Sequence, residues 1–227
     1  MPVFFRKKYR HSFKEKLGLF PPEAFDGCSG KPRIWVNAVS VGEVVGVSSI
    51  VKAIKRTYPD SSIIISTGTE TGQKMAHQLI KEASCFIYFP LDIPFVVKKM
   101  LRTIQPDLFI TAETEIWPNF LHYAKKMGVK TMLVNGRISR RSIGKYYRAR
   151  FFFRKVLHNF DCLSMASEID SERIKMIGAP EERVFISGNS KFDTLVGETS
   201  PLYEREIRKK LNIGDENVFI AASIHPG

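Results

Sequence analysis

The side chains of this 227-residue chain best suited to chemistry are acidic, and they sit in short segments beside glycines, hydroxyls and cations. In SVGE at 40–43, Glu43 stands three positions after Ser40 at the start of a helical pattern. Ser-x-x-Glu is the spacing of a capping box, in which the two side chains satisfy the free amides of a helix's first turn. The same carboxylate could instead face a cleft as a general base, with Gly42 letting a substrate come close to the backbone. A helix N-terminus favours the ionised form, which keeps such a base ready for a proton while lowering its basicity. Both roles stay open on the sequence.

Four more segments have comparable chemistry. STGTETG at 66–72 combines hydroxyls and glycines at a helix start, suited to a phosphate or to sugar hydroxyls, although Thr67 and Glu70 again have capping-box spacing. In AETEIWPN at 112–119, Glu113 and Glu115 lie two apart, which places them on different faces of any helix. One of them could serve acid/base work while the other caps or pairs. NGRIS at 135–139 reads as an Asn135-Gly136 turn followed by Arg137, able to hold a phosphate or carboxylate through two parallel hydrogen bonds. GNSKFD at 188–193 offers Lys191, either toward a ligand or in a capped turn. Asp92, two residues before Pro94, reads as ordinary helix-start grammar.

These segments follow strands. Apolar, β-rich runs at 33–39, 63–66, 85–88, 108–111, 129–134, 162–165 and 184–186 alternate with helical patterns at about 40–58, 70–81, 93–104, 117–127, 140–157 and 168–177. Such alternation predicts an α/β fold, Rossmann-like, with a mostly parallel sheet and helices on both faces. Ligands in such sheets bind beyond the carboxyl ends of the strands, where all the segments above fall. We divide the chain into a basic lead at 1–32, this domain at 33–196, and a linker with a short charged helix at 197–216. The strand from 217 onward is expected to open a second α/β domain.

Charge narrows the partners. The net charge is +12, and no acidic residue occurs from 116 to 160, where eleven Lys and Arg residues gather; the first twenty residues are basic as well. Anionic partners follow: nucleic acid, acidic lipid head groups or a phosphorylated substrate. Within 140–157 the cations Arg148, Arg150 and Arg154 interleave with aromatics such as Phe152, a pattern suited to an anionic membrane surface. No nucleic-acid motif is present. The first strand lacks the G-x-G-x-x-G that dinucleotide cofactors require, and no window is apolar enough to span a bilayer or serve as a signal peptide. A cytoplasmic location follows as an expectation. Cys28, Cys85 and Cys162 are widely spaced and have no His at zinc-ligand intervals, so neither a metal site nor a disulfide is expected.

Taken in order, VSVGE, STGTETG, PLD, ETEIWPN, NGRIS, GAPEERV and GNSKFD resemble the N-terminal domain of the Kdo transferases of lipopolysaccharide synthesis, over about residues 10–227. The resemblance implies the N-terminal, acceptor-binding half of a GT-B glycosyltransferase that needs no metal or other cofactor. It implies CMP-Kdo as donor, bound by a C-terminal domain, and a phosphorylated lipid A precursor as acceptor, with inversion at the anomeric carbon. Glu43 maps onto the family's proposed catalytic base. Ser40, Gly42, Thr67, Glu113, Glu115, Arg137 and Lys191 become candidates for binding the acceptor or supporting the base. Without the apolar N-terminal anchor usual in the family, attachment to the cytoplasmic face of the inner membrane would be peripheral, and this chain by itself is not expected to transfer sugar. The rivals are a GT-B transferase using a UDP-sugar and a non-enzymatic module that binds anionic ligands.

Overall fold

A computed structural model describes residues 13–193, 201–214, 216 and 218–219. The first twelve residues of the basic lead and most of the strand expected from 217 lie outside the described residues. Seven strands, β1 (Arg33–Asn37), β2 (Ser62–Thr67), β3 (Cys85–Tyr88), β4 (Leu108–Ala112), β5 (Lys130–Gly136), β6 (Cys162–Met165) and β7 (Val184–Ile186), form one all-parallel sheet in the order 3-2-1-4-5-6-7. Between them run α1 (Val41–Thr57), α2 (Glu70–Leu79), α3 (Pro94–Ile104), α4 (Pro118–Lys126), α5 (Arg140–Arg148), α6 (Arg150–Leu157) and α7 (Glu168–Met176). The Rossmann-like α/β expectation is met.

Side-chain alternation explains the layers. Ile34 and Val36 of β1 pack with Ile63 and Ile65 of β2 against Val44, Val47 and Val51 of α1. Trp35 and Ile64 point the other way, onto Val97, Leu101, Phe109 and Phe120. Because both faces are covered, every residue of β2 is buried, as a central parallel strand requires. Trp35 and Phe120 meet edge to face at 5.1 Å between centroids, a contact contributing about 1 kcal/mol beyond area burial. A third apolar cluster joins Leu133, Leu157, Phe160, Leu163 and Ile174 beneath β5 to β7.

Several local expectations are corrected. The basic segment 140–157 is two helices, broken at Ala149 (φ −98°, ψ 19°). Val156 and Leu157 anchor α6 in the core, whereas α5 buries no residue fully and leans inward through Ile143 and Tyr146, so the two helices follow different supports. Asn135 and Gly136 do not form a turn: they end β5, with Asn135 at φ 53° beside a register shift against β6. The cap of α2 is Thr69, whose Oγ1 accepts from Gly72 N–H at 3.0 Å; Thr67 is instead fully buried and donates to Gln73 Oε1 at 2.6 Å. Thr67 therefore has no exposed surface, and its hydroxyl is engaged by Gln73.

Asp92 is also not the cap of the helix that follows it. Its carboxylate accepts from the Asn119 and Phe120 N–H groups at 3.0 and 2.7 Å, so it caps α4, whose own N-cap residue Trp117 supplies no side-chain hydrogen bond. The chain divides into two compact units, Met1–Thr194 and Leu195–Gly227. In the second, α8 (Pro201–Lys210) carries an Arg208–Glu204 pair one turn apart at 3.2 Å.

Candidate functional site

The strand order reverses direction between β1 and β4, which pair in parallel from Ile34–Leu108 to Asn37–Thr111. In open α/β sheets the loops leaving the strands at such a switch point frame the crevice where ligands bind. Glu43, at the start of α1, and Glu113 and Glu115, in the loop after β4, lie here close enough for their charges to act on one another.

Glu43 makes the capping box that its spacing predicts. Glu43 N–H donates to Ser40 Oγ at 3.4 Å, Ser40 Oγ donates to Glu43 Oε1 at 2.8 Å, and Val39 N–H donates to Oε2 at 2.9 Å. Only 6% of the residue is exposed. Burial raises its pKa, the Glu113 charge adds to the rise, and the donors on Ser40 and Val39 oppose it. The group is therefore a stronger base than an exposed glutamate, and it is held in one orientation.

Glu113 sits at φ 54°, a left-handed conformation uncommon outside glycine and found at functional turns. Its Oε1 accepts from Lys191 Nζ at 2.5 Å, with each side chain about one-third exposed. Glu115 is pushed up to about 7 by burial, then by the charges of Glu43 and Glu113. Near it, Trp117 Nε1 is buried without a hydrogen bond of normal geometry, and the Tyr146 hydroxyl is raised by burial and by the Glu115 charge. Tyr146 thus turns inward from α5 and packs on the third apolar cluster.

The loop bearing Glu115 rests on a buried polar chain. Trp35 Nε1 donates to Ser66 Oγ at 2.8 Å, Ser66 Oγ to Asn37 Oδ1 at 2.9 Å, Asn37 Nδ2 to Thr111 Oγ1 at 3.3 Å, and Thr111 Oγ1 to the Glu115 carbonyl at 3.4 Å. Three polar side chains and one indole N–H inside an apolar core are tolerated because each is partnered.

The candidates thus divide. Ser40, Gly42, Glu43, Glu113, Glu115 and Lys191 converge on the crevice; a Cβ on Gly42 would stand 3.5 Å from Lys191 Nζ. Arg137 stands to one side, exposed, lining a depression of about 430 Å³ with Glu113, Ile138, Ser139, Asp170 and Arg173. Its carbonyl accepts the Thr114 hydroxyl, tying the β4 and β5 loops. Arg148, Arg150, Phe152 and Arg154 belong to the α5–α6 surface. There Phe151 and Phe152 are 74% and 53% exposed, and the Arg150 guanidinium stacks 4.6 Å from the Tyr147 ring and 4.9 Å from Phe151. Asn135, Ser190 and Gly46 are not among the sequence candidates yet adjoin Lys191: Asn135 and Ser190 exchange hydrogen bonds, Ser190 Oγ donates to the Gly46 carbonyl, and the Lys191 side chain runs past Gly46. Among the described residues no group of three or more His, Cys, Asp or Glu is placed to hold a metal ion, and no helix is long and apolar enough to cross a membrane.

Comparison with solved structures supports the fold. The chain superposes on a UDP co-structure of MnaA from S. aureus with a TM-score of 0.57 at 13% identity, over 80% of this chain and 51% of that one. For a UDP-GlcNAc 2-epimerase from Neisseria meningitidis bound to UDP-GlcNAc the TM-score is 0.55 at 10% identity, over 81% and 55%. In sequence, a bifunctional glycosyltransferase/methyltransferase of Fusobacterium nucleatum is 35% identical over 96% of this chain and 35% of its own length. A 3-deoxy-D-manno-octulosonic acid transferase of Haemophilus influenzae is 29% identical over 97% of this chain and 51% of its own. The chain therefore spans about half, or less, of the curated relatives it matches. The profile of one family, 3-deoxy-D-manno-octulosonic-acid transferase (kdotransferase), matches residues 11–194. With most of its length inside that match, the chain belongs to the Kdo transferase family.

Proposed function

We propose that this chain is the acceptor-binding half of an enzyme that transfers Kdo from CMP-Kdo to a phosphorylated lipid A precursor, with inversion and with Glu43 as general base. The observation that carries the reading is a buried carboxylate of raised basicity, oriented by two donors, at the switch point of the sheet. An acceptor hydroxyl entering the crevice gives its proton to Glu43 while its oxygen attacks the anomeric carbon. The bond to the CMP phosphate oxygen breaks, and CMP leaves with the electron pair. Arg137, exposed beside Glu113, is placed to hold a phosphate of the acceptor. CMP-Kdo would be bound by the remainder of the full-length protein.

Glu115 supports a second assignment of the base. It is less buried than Glu43, and a pKa of about 7 is well matched to accepting a proton near neutral pH. Comparing turnover of Glu43→Gln and Glu115→Gln separates the two assignments, since the base is the one whose amide variant loses the most.

We also place the protein peripherally on the cytoplasmic face of the inner membrane, with the aromatic and cationic surface of α5 and α6 against anionic lipid. The full-length protein, given CMP-Kdo and a bisphosphorylated lipid A precursor, is expected to release one CMP for each Kdo added. Turnover with a UDP-sugar and none with CMP-Kdo would support the rival transferase instead.

A further inference from the structure

The loop after β7 is fastened to β5 and to α1 through one asparagine. Asn135 is 4% exposed, and its φ of 53° is a conformation that asparagine tolerates better than most residues. Asn135 Nδ2 donates to Ser190 Oγ at 2.8 Å, and Ser190 N–H donates back to Asn135 Oδ1 at 3.0 Å. The Ser190 hydroxyl in turn donates to the Gly46 carbonyl of α1. The residue after this clamp is Lys191.

Lys191 lies along α1 in a groove made by two glycines one turn apart. A Cβ on Gly46 would stand 3.2 Å from Lys191 Cγ and 3.3 Å from Cε, and the side chain continues past Gly42 to Glu113. Alanine at position 46 would thus crowd both Lys191 and the Asn135 amide, whose Nδ2 stands 3.1 Å from that Cβ. Both ends of the lysine are therefore defined: its backbone by the clamp, its ammonium by the groove.

We propose that Asn135, acting through Ser190, is a positioning residue that seats the Lys191 ammonium among the carboxylates of the crevice. The proposal rests on the reading of that crevice as the site of transfer. Glu43, Glu113 and Glu115 repel one another at close quarters, and a cation held at a fixed place offsets part of that repulsion, whereas a wandering one offsets less. Among the described residues the charges of Glu43 and Glu113 act on Glu115, the Glu115 charge acts on Tyr146, and the ion pair with Lys191 sits on Glu113.

The test follows the Glu115 carboxyl by NMR titration in the full-length protein labelled at glutamate, its signal assigned by its loss in Glu115→Gln. Lys191→Met keeps an aliphatic stem in the groove and removes the charge, Asn135→Gly keeps the left-handed backbone and removes the amide, and Ser190→Ala removes the linking hydroxyl. In Lys191→Met the Glu115 midpoint is expected to rise by about one pH unit from its wild-type value near 7. Asn135→Gly and Ser190→Ala should move it part of the way in the same direction, and the acid limb of the pH–rate profile of transfer should follow. A midpoint unmoved in Lys191→Met overturns the proposal. So does one that moves in Lys191→Met but in neither clamp variant when melting temperatures are unchanged; if Asn135→Gly fails to fold, Ser190→Ala decides. If the three titrations behave as expected in a protein that transfers no sugar, the clamp stands and the functional reading falls.

Discussion

Lys191 Nζ meets Glu113 Oε1 at 2.5 Å across 78 positions of sequence, joining the loop after β7 to the loop after β4 by a charged contact. The crevice is thereby closed at one wall by an interaction between distant segments, and its carboxylates are fixed relative to α1.

Asp92→Ala should destabilise the fold by about 1–2 kcal/mol, because α4 loses its only described side-chain cap on the Asn119 and Phe120 amides. Urea denaturation measures it. Asp92→Asn, which keeps an acceptor, should lose less; equal losses would mean that the cap is not what Asp92 provides.

Thr111→Val keeps the shape of a fully buried side chain but leaves the Asn37 amide and the Glu115 carbonyl without a partner. We expect a loss of about 1–3 kcal/mol in the same measurement. A stabilised variant would show that the buried polar chain does not support the loop.

Glu115 binds its proton more tightly in the folded chain, near 7, than an ordinary glutamate does at 4.5. Between those values the folded state holds more protons than the unfolded one, so this group takes stability away as pH rises through the window. Glu115→Gln removes that term. Relative to wild type its melting temperature should therefore climb between about pH 4.5 and 7 and level off above. A difference that is flat with pH would contradict the raised value.

Arg148, Arg150 and Arg154, changed together to Gln, should weaken binding to vesicles containing anionic lipid by about 3 kcal/mol, roughly 100-fold, at about 1 kcal/mol per cation near the surface. Phe152→Ser should weaken it further, since that ring is largely exposed. Vesicle sedimentation reads both, and unchanged binding would remove α5 and α6 as the contact surface.

Much of the fold is legible in the sequence. The runs IWV in β1 and III in β2 announce buried parallel strands because a strand covered on both faces has no polar side to alternate with, and Ser40-x-x-Glu43 announces its capping box because that interaction closes within one helical turn. What escaped was long-range or depended on backbone conformation. Asp92 caps a helix that starts more than twenty residues later, and Asn135 looks like a turn residue because asparagine suits both a turn and a kinked strand end. Thr67 kept its hydroxyl motif while the sheet buried it. The break at Ala149 left no mark, since α5 and α6 share one basic and aromatic composition and differ only in what lies beneath them.

The central claim is that Glu43 accepts the proton of the attacking hydroxyl, and Glu43→Gln in the full-length protein tests it most directly, with turnover and melting temperature measured on one preparation. Glutamine keeps an oxygen for Val39 N–H or Ser40 while it cannot take a proton at neutral pH. The account predicts a fall in kcat of about 10²–10⁴-fold with little change in melting temperature. Transfer at near wild-type rate, or a variant that loses activity only because it unfolds, would contradict it and leave Glu43 as a helix cap alone.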